Sequence, residues 1–143
     1  MIIPCVGQTP EFKHDGDAGA DVRANEDVII YPGEYASVKT GLRIALPKGY
    51  VALLFARSGN GRRGIGITHG VGVIDAGYRG EIKVCLYNAD LDRKFQVKQG
   101  DRIAQLVIMP VPSVAYARTD KESFAELCDT ERGTDGFGST GNA

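Results

Sequence analysis

The sequence predicts an all-β protein, a sandwich or barrel of short strands, and three observations carry that prediction. Gly and Pro punctuate the chain about every eight to twelve residues, at Gly33, Pro47-Lys48-Gly49, Ser58-Gly59, Gly77, Gly80 and Gly100, which is the spacing of short strands joined by turns. Between the breaks apolar residues often alternate with polar ones, a period of two that leaves little room for helices. Glycine makes up 19 of the 143 residues, against an average usage of about 7%, so many positions need positive φ or close backbone approach.

Taken in order, Met1 to Val6 is a short apolar stretch without a basic leader, expected as an edge or first strand. Val51-Ala52-Leu53-Leu54-Phe55 is continuously apolar, as is Leu106-Val107-Ile108-Met109, and both read as strands covered on two faces, by a second sheet or by a neighbouring subunit. Ile82, Val84 and Leu86 alternate with outward residues such as Lys83, which places one face of that strand in the core. Gly100 turns the chain into the strand through Leu106, and Pro110-Val111-Pro112 ends it, since proline cannot donate to a ladder and restricts the residue before it. Ser123 to Leu127 fits a helical turn or an edge strand. Residues from Gly133 onward are too rich in Gly, Ser and Thr to bury themselves. The expectation is a single domain over 1–143, with 130–143 a mobile arm.

Seventeen Lys+Arg against 18 Asp+Glu give a net charge of -1, which provides no long-range field for nucleic acid polymer or an acidic membrane. No apolar run reaches the roughly 18 residues needed to span a bilayer. Cys5, Cys85 and Cys128 are far apart and odd in number, so neither a zinc knuckle nor a closed disulfide framework is expected, and a reducing, cytoplasmic setting fits.

Several segments could carry chemistry. In Gly72-Val73-Ile74-Asp75-Ala76-Gly77-Tyr78-Arg79-Gly80-Glu81-Ile82, a carboxylate ends an apolar run beside a tight turn and a ring. Asp75 held this way can take a proton from water, and Tyr78 can stack on a sugar or base. On these residues alone, an Asp that caps a hairpin turn reads equally well. Arg57-Ser58-Gly59 ends a strand with a guanidinium, a hydroxyl and backbone amides, a phosphate-binding set that is also common in ordinary turns. Gln105 sits inside an apolar strand and needs a partner, either neighbouring backbone or a ligand or water near Asp75. Asp15, Asp17 and Asp21 could hold the waters of a magnesium ion. Near the C-terminus, Gly136-Phe137-Gly138-Ser139-Thr140-Gly141 matches G-x-G-x-x-G in letters only, because a dinucleotide fingerprint must open a helix and only Asn142 and Ala143 follow. What remains is a flap with phosphate donors, Arg132 and one ring, able to fold over a nucleotide, or an inert polar tail.

In order along the chain, A-G-A-D-V, R-S-G, G-V-I-D-A-G-Y-R-G-E-I, G-D-R-I-A-Q-L and R-G-T-D-G-F-G-S-T-G resemble the five motifs of the trimeric dUTPase family. The resemblance implies a distorted β-barrel or jelly-roll protomer, a homotrimer, and three active sites at subunit interfaces, each completed by a C-terminal arm. It implies a dUTP diphosphatase that limits uracil incorporation into DNA and supplies dUMP for dTMP synthesis. Asp75 would be the general base on the water attacking the α-phosphorus, and Tyr78 would stack under the deoxyribose. Backbone of about Gly70, Val71 and on to Ile74 would read the uracil edge. Arg57, Ser58, Gly59 and Gln105 would contact the phosphate chain, with Mg²⁺ held mainly by the phosphates and reached through water by Asp21. Arg132 would pair with the γ-phosphate, Phe137 would cover the uracil, and Gly138, Ser139 and Thr140 would add phosphate contacts.

The chain departs from the family pattern at Ala56, where Pro is frequent, at Asn60, where Leu is common, and at Ala76-Gly77, where an acidic residue often precedes the tyrosine. His69 lies near where certain members use Asn for uracil, and it receives no role at this stage. The related dCTP deaminases need an acid/base at the base edge, typically a glutamate on the strand after the third motif; here that strand ends in Leu86-Tyr87-Asn88. A trimer that grips a regulatory protein partner, as some phage members are thought to do, is the reading from a different class. The intact Asp75 and complete tail favour catalysis over it.

Overall fold

The computed structural model describes residues 1–127, 130, 131 and 133. The chain forms two compact units, Met1–Pro112 and Ser113–Ala143. The first unit is built of β-strands apart from one helical turn, as the turn spacing predicts. One four-stranded antiparallel sheet runs in the order β2 (Ala20–Arg23), β11 (Arg102–Pro110), β6 (Tyr50–Ala56), β8 (Gly72–Asp75). A three-stranded sheet runs β4 (Tyr35–Lys39), β9 (Lys83–Asn88), β7 (Ile65–Ile67). Two short pairs, β1 (Cys5–Val6) with β5 (Arg43–Ile44) and β3 (Val28–Ile30) with β10 (Phe95–Val97), complete it.

Period-two patterning explains the core. Ala52 and Leu54 of β6, Ile74 of β8, Leu106 of β11, Val38 of β4 and Val84 and Leu86 of β9 are all buried in one cluster, while Lys83 points outward. The continuously apolar strands are β6 and β11. Within this chain only one of their faces is covered, and Val51, Leu53, Phe55 and Val107 on the other face are half-buried. Wholly buried Asn88 closes the end of β9 by donating to the carbonyls of Ile30 (3.0 Å) and Arg93 (2.8 Å) and accepting from the Asp90 amide (3.1 Å). An amide in an apolar interior is tolerable because both its donors and its acceptor are used.

Turn chemistry is met at Gly33, Gly49 and Gly100, all at positive φ. Ser58-Gly59 is a correction: they open a one-turn helix, α1 (Ser58–Gly61), with Arg57 in extended conformation at its N-cap. The deviation follows from Asn60, which is buried there with its amide 3.5 Å from the Ile103 carbonyl, so the turn is tucked against β11. In the second unit the helical alternative for Ser123 to Leu127 prevails, as α2 (Lys121–Leu127). Asp120 decides it: its carboxylate accepts from the Ser123 amide (2.8 Å) and hydroxyl (2.9 Å), satisfying a first-turn donor. Among the described residues no helix is long and apolar enough to cross a membrane.

Candidate active site

Asp75 is the last residue of β8, an edge strand, exposed and paired opposite Val51 of β6. Its carbonyl accepts from the Tyr78 amide (3.0 Å), closing a tight turn, and Arg79 locks that turn by donating to the carbonyls of Ala76 (2.6 Å) and Tyr78 (2.8 Å). The Tyr78 ring folds back over Gly80, where a Cβ would collide with it, and its hydroxyl donates to the Glu81 carbonyl (2.9 Å). The Glu81 carboxylate in turn accepts from the Gly41 amide (2.8 Å), so the loop carrying Asp75 and Tyr78 is tied to a neighbouring turn. Carboxylate and ring line one cleft of about 420 Å³ together with His69, Val71, Gly72, Val73, Glu81 and Lys83.

Of the residues expected to read a base, Val71 to Ile74 line this cleft and Gly70 does not. Gly70 has φ +73°, and its amide donates to the Ile67 carbonyl (3.0 Å), while the Val71 amide donates to that of His69 (2.9 Å). Those two donors are therefore spent on the turn. The Ile74 side chain is buried in the core, leaving only its backbone to face a ligand. Because β8 pairs only with β6, alternate backbone groups along its free edge stay open for hydrogen bonding.

The phosphate candidates gather elsewhere. Arg57 donates through Nε to Asp21 Oδ1 (2.7 Å) and through a terminal nitrogen to Oδ2 (3.4 Å), and Arg102 reaches the same Oδ2 (3.3 Å). Asp21 is buried, so both guanidiniums are fixed by a carboxylate that itself needs them. Arg57 and Gly59, with Arg63 and Arg102, line a second cleft of about 260 Å³ that shares no residue with the first; Ser58 is exposed at the start of α1 beside it. Gln105 is half-buried on β11 and packs over Gly19, where a Cβ would lie 3.2 Å from that of Gln105.

Register fixes how far apart the two groups are. Gln105 lies opposite both Phe55 and Asp21, whereas Asp75 lies opposite Val51. Four residues along β6 and two strand spacings separate Asp75 from Gln105, roughly 16 Å between backbones. Gln105 therefore has no neighbour in Asp75 of its own chain, and the ground between them is apolar, formed by Val51, Leu53, Val73 and Val107. Asp17 accepts from the His14 amide (2.9 Å) and with Asp15 lines a separate recess.

Among the described residues, no three His, Cys, Asp or Glu side chains are gathered as a metal site. Asp21 has both oxygens engaged by guanidiniums, Oδ1 by Arg57 and Oδ2 by Arg57 and Arg102, so its charge is already met by two cations. The expectations for Arg132, Phe137, Gly138, Ser139 and Thr140, and for Cys128, fall outside the described residues; Cys5 and Cys85 are free thiols. Sequence reasoning gave no part to Gly80 or Arg102. Gly80 and Arg102 stand inside the quoted motifs, but only the fold reveals that one makes room for a ring and the other shares a carboxylate.

A dUTPase family model matches residues 7–141. The chain is 50% identical over 133 residues to the deoxyuridine 5'-triphosphate nucleotidohydrolase of Thermobifida fusca, covering 92% of this chain and 72% of that one. It is also 50% identical over 133 residues to the enzyme of the same name from Corynebacterium glutamicum, covering 92% and 86%. Among solved structures, a variant of the Staphylococcus bacteriophage 80alpha dUTPase with dUpNHpp superposes with a TM-score of 0.83 at 28% identity, over 99% of both chains. A variant dUTPase of phage phi11 of S. aureus, described as revealing the coordination of a structural Mg(II) ion, gives 0.78 at 27% identity, over 85% and 98%.

Proposed function

The chain belongs to the dUTPase family, and from that premise we propose how its residues carry out the reaction. The protein is a hydrolase that converts dUTP to dUMP and pyrophosphate. In our reading Asp75 is the general base: it is exposed at a strand end, held by the locked turn, and opens into the cleft shared with Tyr78. It orients a water and takes its proton as the oxygen attacks the α-phosphorus, a contribution typically worth ~10²–10⁴ in rate. Tyr78, pinned by Gly80 and the Glu81 carbonyl, presents its face to the deoxyribose. Arg57, Ser58, Gly59 and Gln105 hold the phosphate chain, and Asp21 keeps Arg57 extended toward it. Magnesium, when bound, neutralises charge on the phosphate oxygens, and Asp21 would reach it through water.

The base and the phosphate donors must act on one triphosphate, yet within a chain they stand roughly 16 Å apart across apolar side chains. A site in which the Asp75 hairpin of one subunit meets the Arg57 end of another resolves this, and it would cover the half-buried outer faces of β6 and β11. We therefore place three such sites in a homotrimer. Closure of a C-terminal arm carrying Arg132 and Phe137 would then exclude water from each. A deaminase reading gains nothing: β9 carries no carboxylate, and that of Glu81 is engaged by Gly41.

The observation that carries the proposal is the fixed Asp75 at the mouth of the Tyr78 cleft. Pyrophosphate release from dUTP, dCTP, dTTP and UTP with Mg²⁺ tests it, with wild type beside Asp75→Asn. Selective dUTP turnover that falls at least about a hundredfold in the variant is expected. A fully active Asp75→Asn would remove the base from this account.

A further inference from the structure

We propose that Glu81 is a positioning residue for Tyr78, acting through the turn Thr40-Gly41-Leu42, a role that rests on the dUTP reading of the cleft above. Tyr78 is anchored through its hydroxyl, which donates to the Glu81 carbonyl (2.9 Å). That carbonyl belongs to the planar trans peptide joining Glu81 to Ile82, whose N–H points the opposite way and donates to the Leu42 carbonyl (2.8 Å). The Glu81 carboxylate takes the adjoining group of the same turn, accepting from the Gly41 amide (2.8 Å). Glu81 therefore grips the turn with its side chain and its peptide together, and offers the ring its acceptor from the far side of that peptide. The turn itself is held on several sides. Thr40 is buried, and its hydroxyl donates to the Ile82 carbonyl and accepts from the Leu42 amide (3.1 Å). Gly41 has φ +67° and lies under the Asn25 side chain, where a Cβ would stand 3.2 Å from Nδ2, and its carbonyl packs so close to Gly7 that a Cβ there would collide with it.

The bond from Gly41 to a carboxylate is charge-assisted, roughly twice as strong as a neutral one, and among the described residues it is the tie to this turn that lies nearest Tyr78. Asp75 does not depend on it. Its own turn is closed by the Tyr78 amide and the Arg79 guanidinium, and its strand is paired with β6. Loosening Glu81 moves the ring and spares the base, so the cost falls on holding the sugar and not on the chemical step. A ring held close to the sugar also leaves less room for the extra hydroxyl of UTP, which makes Glu81 a contributor to selectivity. Reach and charge can be separated by substitution. Glutamine keeps the acceptor at the same reach without the charge, whereas aspartate keeps the charge and falls one methylene short.

The test is steady-state kinetics of the full-length enzyme with dUTP and UTP for wild type, Glu81→Ala, Glu81→Asp and Glu81→Gln, with hydrogen exchange of the Gly41 amide followed by NMR. Glu81→Ala and Glu81→Asp should each raise KM for dUTP about fivefold and narrow the dUTP/UTP preference by a similar factor, as for one lost hydrogen bond, with kcat changed by less than about twofold. Glu81→Gln should stay within about twofold of wild type in KM and preference, because its carboxamide oxygen still accepts. The Gly41 amide should keep its protection in Glu81→Gln and lose it in Glu81→Ala and Glu81→Asp. If Glu81→Ala does not fold, Glu81→Asp carries the same prediction. Unchanged KM and selectivity in Glu81→Asp, or a Glu81→Gln as impaired as Glu81→Asp, would overturn the role of Glu81 while leaving the dUTPase activity intact. A wild type that releases no pyrophosphate from dUTP would overturn the reading of the cleft and the role of Glu81 together.

Discussion

At Gly80 the missing side chain is what allows Tyr78 to lie across the loop, since any Cβ there would occupy the ring's place. Gly80→Ala should therefore displace Tyr78 without touching Asp75, and kinetics should show KM for dUTP raised about tenfold with a smaller change in kcat. Asp21 offers a second test at this scale. It is buried and holds Arg57 and Arg102, and its removal leaves two guanidiniums without their common partner. Both arginines keep some solvent access, which softens the penalty, and Asp21→Ala should cost about 2 kcal/mol in denaturant unfolding. The placement of Asp75 and Tyr78 at one turn and of Arg57 at a strand end was legible in the sequence, because strand ends and Gly turns mark where side chains stand on rigid backbone, while their roles rest on the resemblance. The partnership of Asp21 with Arg102 was not, because 81 positions separate them and the pairing arises only when β2 and β11 align.

Strands were easier to read than their edges. The alternation of Ile82, Val84 and Leu86 placed β9 correctly, and Leu54, the inward residue of β6, is buried in the core it helps to form. Leu54→Ala should destabilise the fold by about 2–5 kcal/mol, measurable by thermal or chemical denaturation. The helical turn α1 escaped notice because R-S-G is turn chemistry in either form, and what selects the helix is burial of Asn60 against Ile103, a contact remote in sequence. For α2 the deciding group is Asp120. Hydrogen bonds from the Ser123 amide, then from its hydroxyl, hold the Asp120 carboxyl below its ordinary value of 3.8. A depressed carboxylate lends its stability above the ordinary value and loses it as pH falls through the lowered one. The Ser123 amide should accordingly lose hydrogen-exchange protection only in strongly acidic solution, whereas in Asp120→Ala protection should already be absent at neutral pH.

At the scale of the whole molecule, the informative feature is an uncovered sheet face between the Asp75 cleft and the Arg57 cleft, which under the proposed function are two halves of one site. Continuous apolar runs announced that β6 and β11 need cover on both sides, by a second sheet or a neighbouring subunit, and within this chain only one face has it. Val73 is 65% exposed and Met109 46%, beside half-buried Leu53 and Val107, a contiguous apolar surface of the kind that marks an interface. Leu53→Asp should dissociate the assembly in sedimentation and abolish turnover while leaving the β-sheet circular dichroism in place. The most direct measurement mixes two inactive variants, Asp75→Asn and Arg57→Ala, by co-refolding and follows pyrophosphate release from dUTP. If each site takes its hairpin from one subunit and its phosphate donors from another, about a quarter of the sites in a random mixture are wholly wild type, and activity should return to about that fraction. A mixture as inactive as its components would contradict the shared site.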